Sequence, residues 1–226
     1  MSKSTSHASS PVAKVLIVDD HPAVREALAI RISSQADLEV CGEASDLGDA
    51  VEIAAVTHPD AAVIDIALQT SNGLDLIKRL TARNARIRVV VWSMYSEELY
   101  AERALRAGAM GYLTKNKGTR QIIDAIREVL AGNIYVSAAM TLKLLKRTVG
   151  QSAQDSDRPP IDALSNRELE VFRLIGQGLK TQDIAANLHL SVNTVETYRD
   201  RIRAKLSLSD GLELARCAWQ CAVEKS

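Results

Sequence analysis

Apolar positions follow two different patterns along the chain. From residue 14 to residue 131, short runs rich in Val, Ile and Leu alternate with amphipathic stretches of helical length. The runs are Lys14 to Val18, Leu38 to Gly42, Ala61 to Asp65, Arg88 to Trp92 and Gly111 to Leu113. The amphipathic stretches run from Ala23 to Ser33, Leu47 to His58, Leu74 to Ala82, Glu97 to Ala107 and Thr119 to Ala131. Three of the five runs are almost continuously apolar rather than alternating, the pattern of strands covered on both faces. Five such βα units predict an α/β domain with a doubly wound, five-stranded parallel sheet.

The remainder reads differently. Gly132-Asn133 marks a turn, and Ser137 is a plausible N-cap for a short helix carrying Leu142, Leu144 and Leu145. From Thr148 to Asp162 there is little to bury, and Gly150, Ser152 and Pro159-Pro160 punctuate the stretch, so residues 132–162 read as a linker containing that helix. Residues 163–226 carry four helical patterns and no strand-like run, which predicts a small all-α domain. The first opens on the capping box Ser165-x-x-Glu168 and stops at Gly178. The second spans Thr181 to Leu188, the third Ser191 to Leu206 and the fourth Gly211 to Cys221. The third would bury Val192, Val195, Ile202 and Leu206 on one stripe.

Composition narrows the classes. At 226 residues, 46% hydrophobic and 25% charged, the chain can bury the cores of two ordinary domains. Residues 1–13 are Ser-rich and expected to be disordered, without the apolar stretch of a signal peptide. No run is long enough for a membrane helix, so a cytoplasmic protein is expected. Cys41, Cys217 and Cys221 form neither a disulfide framework nor a zinc spacing. Basic and acidic residues balance at 28 each, so any electrostatic argument has to be local.

The strand ends supply one. Open parallel sheets bind ligands outside the carboxyl ends of their strands. There the sequence puts Asp19-Asp20 after the first strand, Asp65 after the third, Ser93 after the fourth and Lys115 after the fifth. A strand-end Asp often does no more than cap the next helix, but here every member sits at its own strand end. Like charges about 4 Å apart repel by roughly 1 kcal/mol in water and roughly 4 kcal/mol at an effective dielectric of 20. Lys115 supplies one compensating charge, and a hard divalent ion such as Mg2+ suits the rest. An Asp beside such an ion can act as a nucleophile toward phosphorus, and Asp65, on a central strand, is the candidate.

In the last domain, the second and third helices leave only about two residues between them, which is helix-turn-helix spacing. The outward face of the third helix presents Asn193, Thr197, Asp200 and Arg201, flanked by Glu196 and Arg203. Nine basic and nine acidic residues make residues 159–226 neutral, while Asn193 to Lys205 carries four basic residues against two acidic ones. Weak binding by a monomer and reliance on two half-sites are expected.

These motifs resemble a two-component response regulator of the NarL/FixJ type. Val15-Leu16-Ile17-Val18-Asp19-Asp20-His21, Val63-Ile64-Asp65-Ile66, Asn72-Gly73-Leu74, Val91-Trp92-Ser93-Met94-Tyr95 and Gly108-Ala109-x-Gly111-Tyr112-Leu113-x-Lys115 match a flavodoxin-like receiver domain over residues 14–131. Leu164-Ser165-x-Arg167-Glu168-x-Glu170-Val171, Gly178-Leu179, Asp183-Ile184-Ala185 and Ser191-Val192-x-Thr194-Val195-x-Thr197-Tyr198 match a LuxR-type helix-turn-helix. The resemblance implies that Asp65 accepts a phosphoryl group from a sensor histidine kinase. Mg2+ would be held by Asp20, Asp65 and the Ala67 carbonyl, with Asp19 assisting. Ser93 would bond the phosphoryl group, Lys115 would pair with it, and Tyr112 would be an aromatic switch packing inward when Ser93 moves. Double-stranded DNA would be read in the major groove by a homodimer, with Asn193, Thr194, Glu196, Thr197, Arg199, Asp200, Arg201, Arg203 and Lys205 as contact candidates.

The chain departs from the family pattern at Gln69-Thr70 and Ser71, where Pro-Gly and Met are common, and at Asn116, where many members have a proline. Without that proline a cis peptide after Lys115 is not expected. Two rivals remain at this point. A phosphatase or phosphotransferase on a similar sheet would want an acid two residues after Asp65, where Ala67 stands, so an enzyme is not expected. A phosphorylation-independent regulator, its receiver only a dimerisation module, would be expected to have lost the acidic pair or Lys115, and both are present.

Overall fold

A computed structural model describes residues 12–68, 71–117, 120–149 and 160–223. Most of the expected N-terminal disordered segment, Gln69-Thr70 and the middle of the expected linker lie outside the described residues.

The first ten elements alternate strictly: β1 (Ala13–Val18), α1 (Pro22–Ser33), β2 (Leu38–Ala44), α2 (Leu47–Thr57), β3 (Ala61–Ile64), α3 (Gly73–Arg83), β4 (Arg88–Ser93), α4 (Glu97–Ala107), β5 (Gly111–Thr114) and α5 (Arg120–Leu130). The strands pair in parallel in the order β2-β1-β3-β4-β5. Two apolar layers cover the sheet. On one face Val15, Ile17, Val63 and Val90 meet Leu28 and Ile32 of α1 and Ile122, Ile126 and Val129 of α5. On the other Leu16, Val18, Ile64 and Val91 meet α2, α3 and α4 through Ala50, Leu76, Ile77, Tyr100 and Ala104. Alternate residues of each strand thus enter opposite layers, which is why these runs carry no polar face. Strand order reverses between β1 and β3, so the crevice for a ligand lies where both strands end, at Asp19 and Asp65.

Beyond α5 the chain keeps its hold on the sheet. Tyr135 N–H donates to Met110 O at 2.8 Å and Tyr112 N–H to Tyr135 O at 2.8 Å, a short parallel bridge beside β5. Ser137 then caps α6 (Ala138–Val149), accepting from Met140 N–H at 3.1 Å, and Met140 is buried. No cis peptide occurs among the described residues.

The C-terminal helices are α7 (Asn166–Gly176), α8 (Thr181–Asn187), α9 (Val192–Leu206) and α10 (Gly211–Val223), preceded by a 3-10 turn at Pro160–Ala163. Ser165 and Glu168 form the reciprocal capping box of α7, and Ser191 caps α9 by accepting from Thr194 N–H at 3.1 Å; such caps contribute about 1 kcal/mol each. Gly178 ends the first segment with φ of 83°, a backbone state that costs glycine nothing. Val195 and Ile202 are fully buried, but Val192 is 43% exposed, unlike the expected stripe. It is the first residue of α9, one turn ahead of Val195, where the helix has not yet reached the core.

Candidate functional site

Each residue at the crevice is delivered by the end of a strand. β1 ends before Asp19, β3 before Asp65 and β4 at Ser93, and all three are at most 3% exposed. Lys115 follows β5 directly and donates to Asp19 Oδ2 at 2.6 Å and to Asp65 Oδ2. Asp65 Oδ1 accepts from Ser93 Oγ at 2.6 Å and from Ala67 N–H at 3.1 Å. Asp19 Oδ1 accepts from His21 N–H at 3.0 Å. Burial works against the Lys115 charge, but Asp65 and Asp19 outweigh it and hold the ammonium above its ordinary range. Trp92 lines the same spot, its ring centroid 5.7 Å from Lys115 Nζ.

Asp20 stands apart from these pairs. Its Oδ1 is buried without a hydrogen-bond partner among the described residues; His21 Nδ1 lies 2.7 Å away but makes no hydrogen bond to it. Ligand atoms of Asp19, Asp20 and His21 all lie within 4.8 Å of one another. A buried Asp20 oxygen that makes no hydrogen bond, beside the Asp19 carboxylate and the His21 imidazole, is a donor set that suits a divalent cation. His21 was not singled out as a ligand from sequence, because a His after an acidic pair has no spacing that marks it as one.

Tyr112 is 1% exposed and already turned inward, its hydroxyl donating to Tyr95 O at 2.9 Å. Tyr95 N–H in turn donates to Ser93 Oγ at 3.3 Å, so the hydroxyl that touches Asp65 also touches the loop leading to α4.

In the helical domain α8 and α9 are joined at Leu188, His189 and Leu190, with Leu190 N–H on Ala185 O at 2.8 Å. Arg167 pins this turn by donating to Leu188 O at 3.0 Å, while its other nitrogen meets Glu170 Oε2 at 2.7 Å. Asn193, Glu196, Thr197, Asp200 and Arg201 are exposed, and Thr194, Arg199 and Arg203 are half-buried. Several of these side chains are occupied locally. Thr194 Oγ1 shares a hydrogen bond with Ser191 Oγ, Thr197 donates to Asn193 O, Glu196 accepts from Thr181 and lies 3.5 Å from Arg199, and Arg203 pairs with Asp200 at 2.6 Å. Lys205 turns back to Glu168 Oε2 at 2.6 Å, so its charge serves the capping box of α7. Burial works against the Glu168 charge, but Lys205 and the Ser165 bonds hold its carboxyl below the ordinary range.

Comparison with known proteins bears on both halves. The receiver-domain model of response regulators matches residues 15–127, and the model of the luxR family of bacterial regulatory proteins matches residues 162–218. The chain is 36% identical over 205 residues to the response regulator GacA of Pseudomonas aeruginosa, covering 91% of this chain and 94% of that protein. This chain belongs to the two-component response regulators of the NarL/FixJ type. It is therefore a transcription regulator rather than an enzyme. The oxygen regulatory protein NreC of Staphylococcus haemolyticus is 34% identical over 208 residues, 91% of this chain and 96% of its own. Among solved structures, a LuxR-family response regulator from Aurantimonas is 30% identical with a TM-score of 0.56, covering 62% of this chain and 99% of that one. RcsB of Salmonella enterica serovar Typhimurium, bound to promoter DNA in the presence of the phosphomimetic BeF3−, superposes with a TM-score of 0.63 over 92% of this chain and 98% of its own. At 20% identity that likeness concerns the fold.

No described helix of this response regulator is long and apolar enough to cross a membrane.

Proposed function

We propose that this response regulator is a cytoplasmic, phosphorylation-dependent transcription factor whose phosphoacceptor is Asp65. The observation that carries the reading is the Asp65 carboxylate, buried and held between the Ser93 hydroxyl and the Lys115 ammonium, which also binds Asp19. An Asp65 oxygen attacks the phosphorus of a histidine kinase's phosphohistidine. The O–P bond forms as the P–N bond breaks, and the imidazole nitrogen leaves with the electron pair. Asp20, Asp65 and the Ala67 carbonyl, with Asp19 assisting, would hold Mg2+, which when bound neutralises and aligns the phosphoryl oxygens. Lys115 offsets the charge that arrives with the phosphoryl group, and Ser93 Oγ turns from the carboxylate to donate to a phosphoryl oxygen. Tyr112, already inward, braces the loop that Ser93 moves.

The output is DNA binding by α9 as a homodimer. Arg201 is exposed and without a side-chain partner among the described residues, so it is the cation most available to the groove. Asn193 and Thr197 share its exposed side of α9, Thr194, Arg199 and Arg203 are further candidates on the same helix, and Glu196 and Asp200 could accept from cytosine amino groups.

The test is intact mass, oligomeric state and operator binding of one sample, before and after incubation with Mg2+ and acetyl phosphate. The wild type is expected to gain one phosphoryl group, shift toward dimer and bind more tightly. Arg201→Ala should gain the phosphoryl group equally well but bind the operator about tenfold more weakly. A chain that takes up no phosphoryl group from acetyl phosphate or a phosphorylated kinase, yet binds its operator as a dimer, would replace this reading with the phosphorylation-independent regulator.

A further inference from the structure

Most carboxylate oxygens at the crevice are already in use. Asp65 Oδ1 accepts from Ser93 and Ala67 and its Oδ2 from Lys115. Asp19 Oδ2 shares the same ammonium, while its Oδ1 takes the His21 N–H. The donors left for a cation lie on the next two residues of the chain. The Asp20 side chain is only 10% exposed, and its Oδ1 makes no hydrogen bond. The His21 ring brings Nδ1 to 2.7 Å from that oxygen and 3.5 Å from Asp19 Oδ1.

The position of that ring is not explained by the helix it precedes. His21 is the N-cap of α1, with φ of −90° and ψ of 112°, and Pro22 follows it. An N-cap side chain ordinarily turns back to accept from the N–H groups of the first turn. The imidazole makes no such bond and lies against the acidic pair instead. Arg25, one turn further on, holds the backbone there. It donates to Asp19 O at 2.6 Å, and its own N–H and that of Val24 are accepted by His21 O. Three ligand atoms from consecutive residues therefore lie within 4.8 Å of one another on a fixed stretch of chain. The ring is 67% exposed, open to an ion arriving from water.

We propose that His21 is a further metal ligand, adding an imidazole nitrogen to the Asp19 and Asp20 carboxylates, and that it widens the preference of the pocket for nitrogen-seeking divalent ions such as Co2+ and Ni2+ over Mg2+. The proposal rests on the metal-binding part of the reading above. Mg2+ takes oxygen ligands, keeps several of its waters and gains little from an imidazole. The later first-row ions bind nitrogen far more strongly, so a single His beside two acids changes the ranking among ions more than it changes the hold on Mg2+. A pocket of oxygens alone would sort these ions less sharply.

Calorimetric titration of the full chain with Ni2+, Co2+ and Mg2+ tests it. The wild type should bind Ni2+ and Co2+ at least about tenfold more tightly than His21→Ala does, with Mg2+ affinity changed less than about twofold. His21→Asn gives α1 a stronger N-cap, so a loss of Ni2+ affinity in that variant does not come from a frayed helix. Asp20→Ala should lose all three ions. Nitrogen ligation is read directly with Mn2+ as the probe: its electron spin echo should carry nitrogen modulation in the wild type and none in His21→Ala. Unchanged Ni2+ affinity in both His21 variants overturns the proposal, and if Mg2+ still binds, the metal reading above stands without it. An equal loss of Ni2+ and Mg2+ in His21→Asn makes the ring a support for the acidic pair and overturns its role as ligand. Ni2+ bound as tightly by Asp20→Ala as by the wild type puts that ion elsewhere and overturns the proposal as well. A wild type that binds none of the ions removes the metal reading and the proposal together.

Discussion

Asp65→Asn is expected to bring phosphoryl uptake from acetyl phosphate below detection, a loss of at least about a hundredfold, while the receiver stays folded. An amide oxygen is too poor a nucleophile to form the mixed anhydride, and no other described carboxylate combines the Ser93 hydroxyl and the Lys115 ammonium on its two oxygens. The fold survives because the amide is nearly isosteric. Its oxygen can accept from Lys115, its NH2 can donate to Ser93 Oγ, and Lys115 keeps Asp19 at 2.6 Å. The Ala67 N–H loses its acceptor, while Asp19 and Asp20 lose a like-charged neighbour. These changes oppose each other, and stability should hold within about 2 kcal/mol. Intact mass after incubation and a urea titration check both halves. Uptake retained by the variant would sink the assignment of Asp65.

Gly73→Ala should be more damaging although it touches no charged group. A Cβ on Gly73 would sit 2.1 Å from the Asp65 carbonyl oxygen and 2.7 Å from the Ile66 Cα, both backbone atoms. The pinch is part of the loop. Gly73 N–H donates to Ile66 O at 3.0 Å, Ala67 bridges Asn72, and the buried Asn72 caps α3 by accepting from Leu74 N–H at 2.9 Å. No rotamer relieves a contact between a Cβ and a main chain, so the strand end carrying Asp65 must move. A loss of about 3 kcal/mol is expected, at the upper end for overpacking, with phosphoryl uptake falling at least tenfold as Asp65 leaves Ser93 and Lys115. The midpoint of urea unfolding and the rate of mass gain measure the two effects. A variant as stable and as reactive as the wild type would mean that the loop is not held this tightly.

What the residues announce about themselves follows from the range of the interaction. The strands are legible because burial on both faces leaves Val15 to Val18 and Val89 to Val91 no polar position. The strand-end site is legible because topology gathers strand ends, and Asp19, Asp65, Ser93 and Lys115 need only stand there to meet. Ser165 and Ser191 announce helix starts because a cap acts over three residues. The contacts that escape a reading of the sequence join side chains far apart on separate elements. Lys205 meets Glu168 across 37 residues, Arg103 meets Leu164 across 61 and Arg173 meets Tyr95 across 78. Nothing periodic marks such pairs, and no spacing in the sequence ties Lys205 to Glu168. Tyr135 is hidden for another reason, since one residue bridging a sheet edge is too short to leave a pattern.

The Lys205–Glu168 and Arg203–Asp200 pairs have a thermodynamic side. Binding to duplex DNA draws much of its strength from the cations that neutralised phosphates set free, roughly one for each phosphate engaged. With Lys205 held by Glu168 of α7 and Arg203 by Asp200, and Arg201 left exposed, α9 would displace few of them on entering a groove. For such a helix most of the gain has to come from base edges and from joining two half-sites, and ionic strength becomes a blunt instrument for loosening its grip.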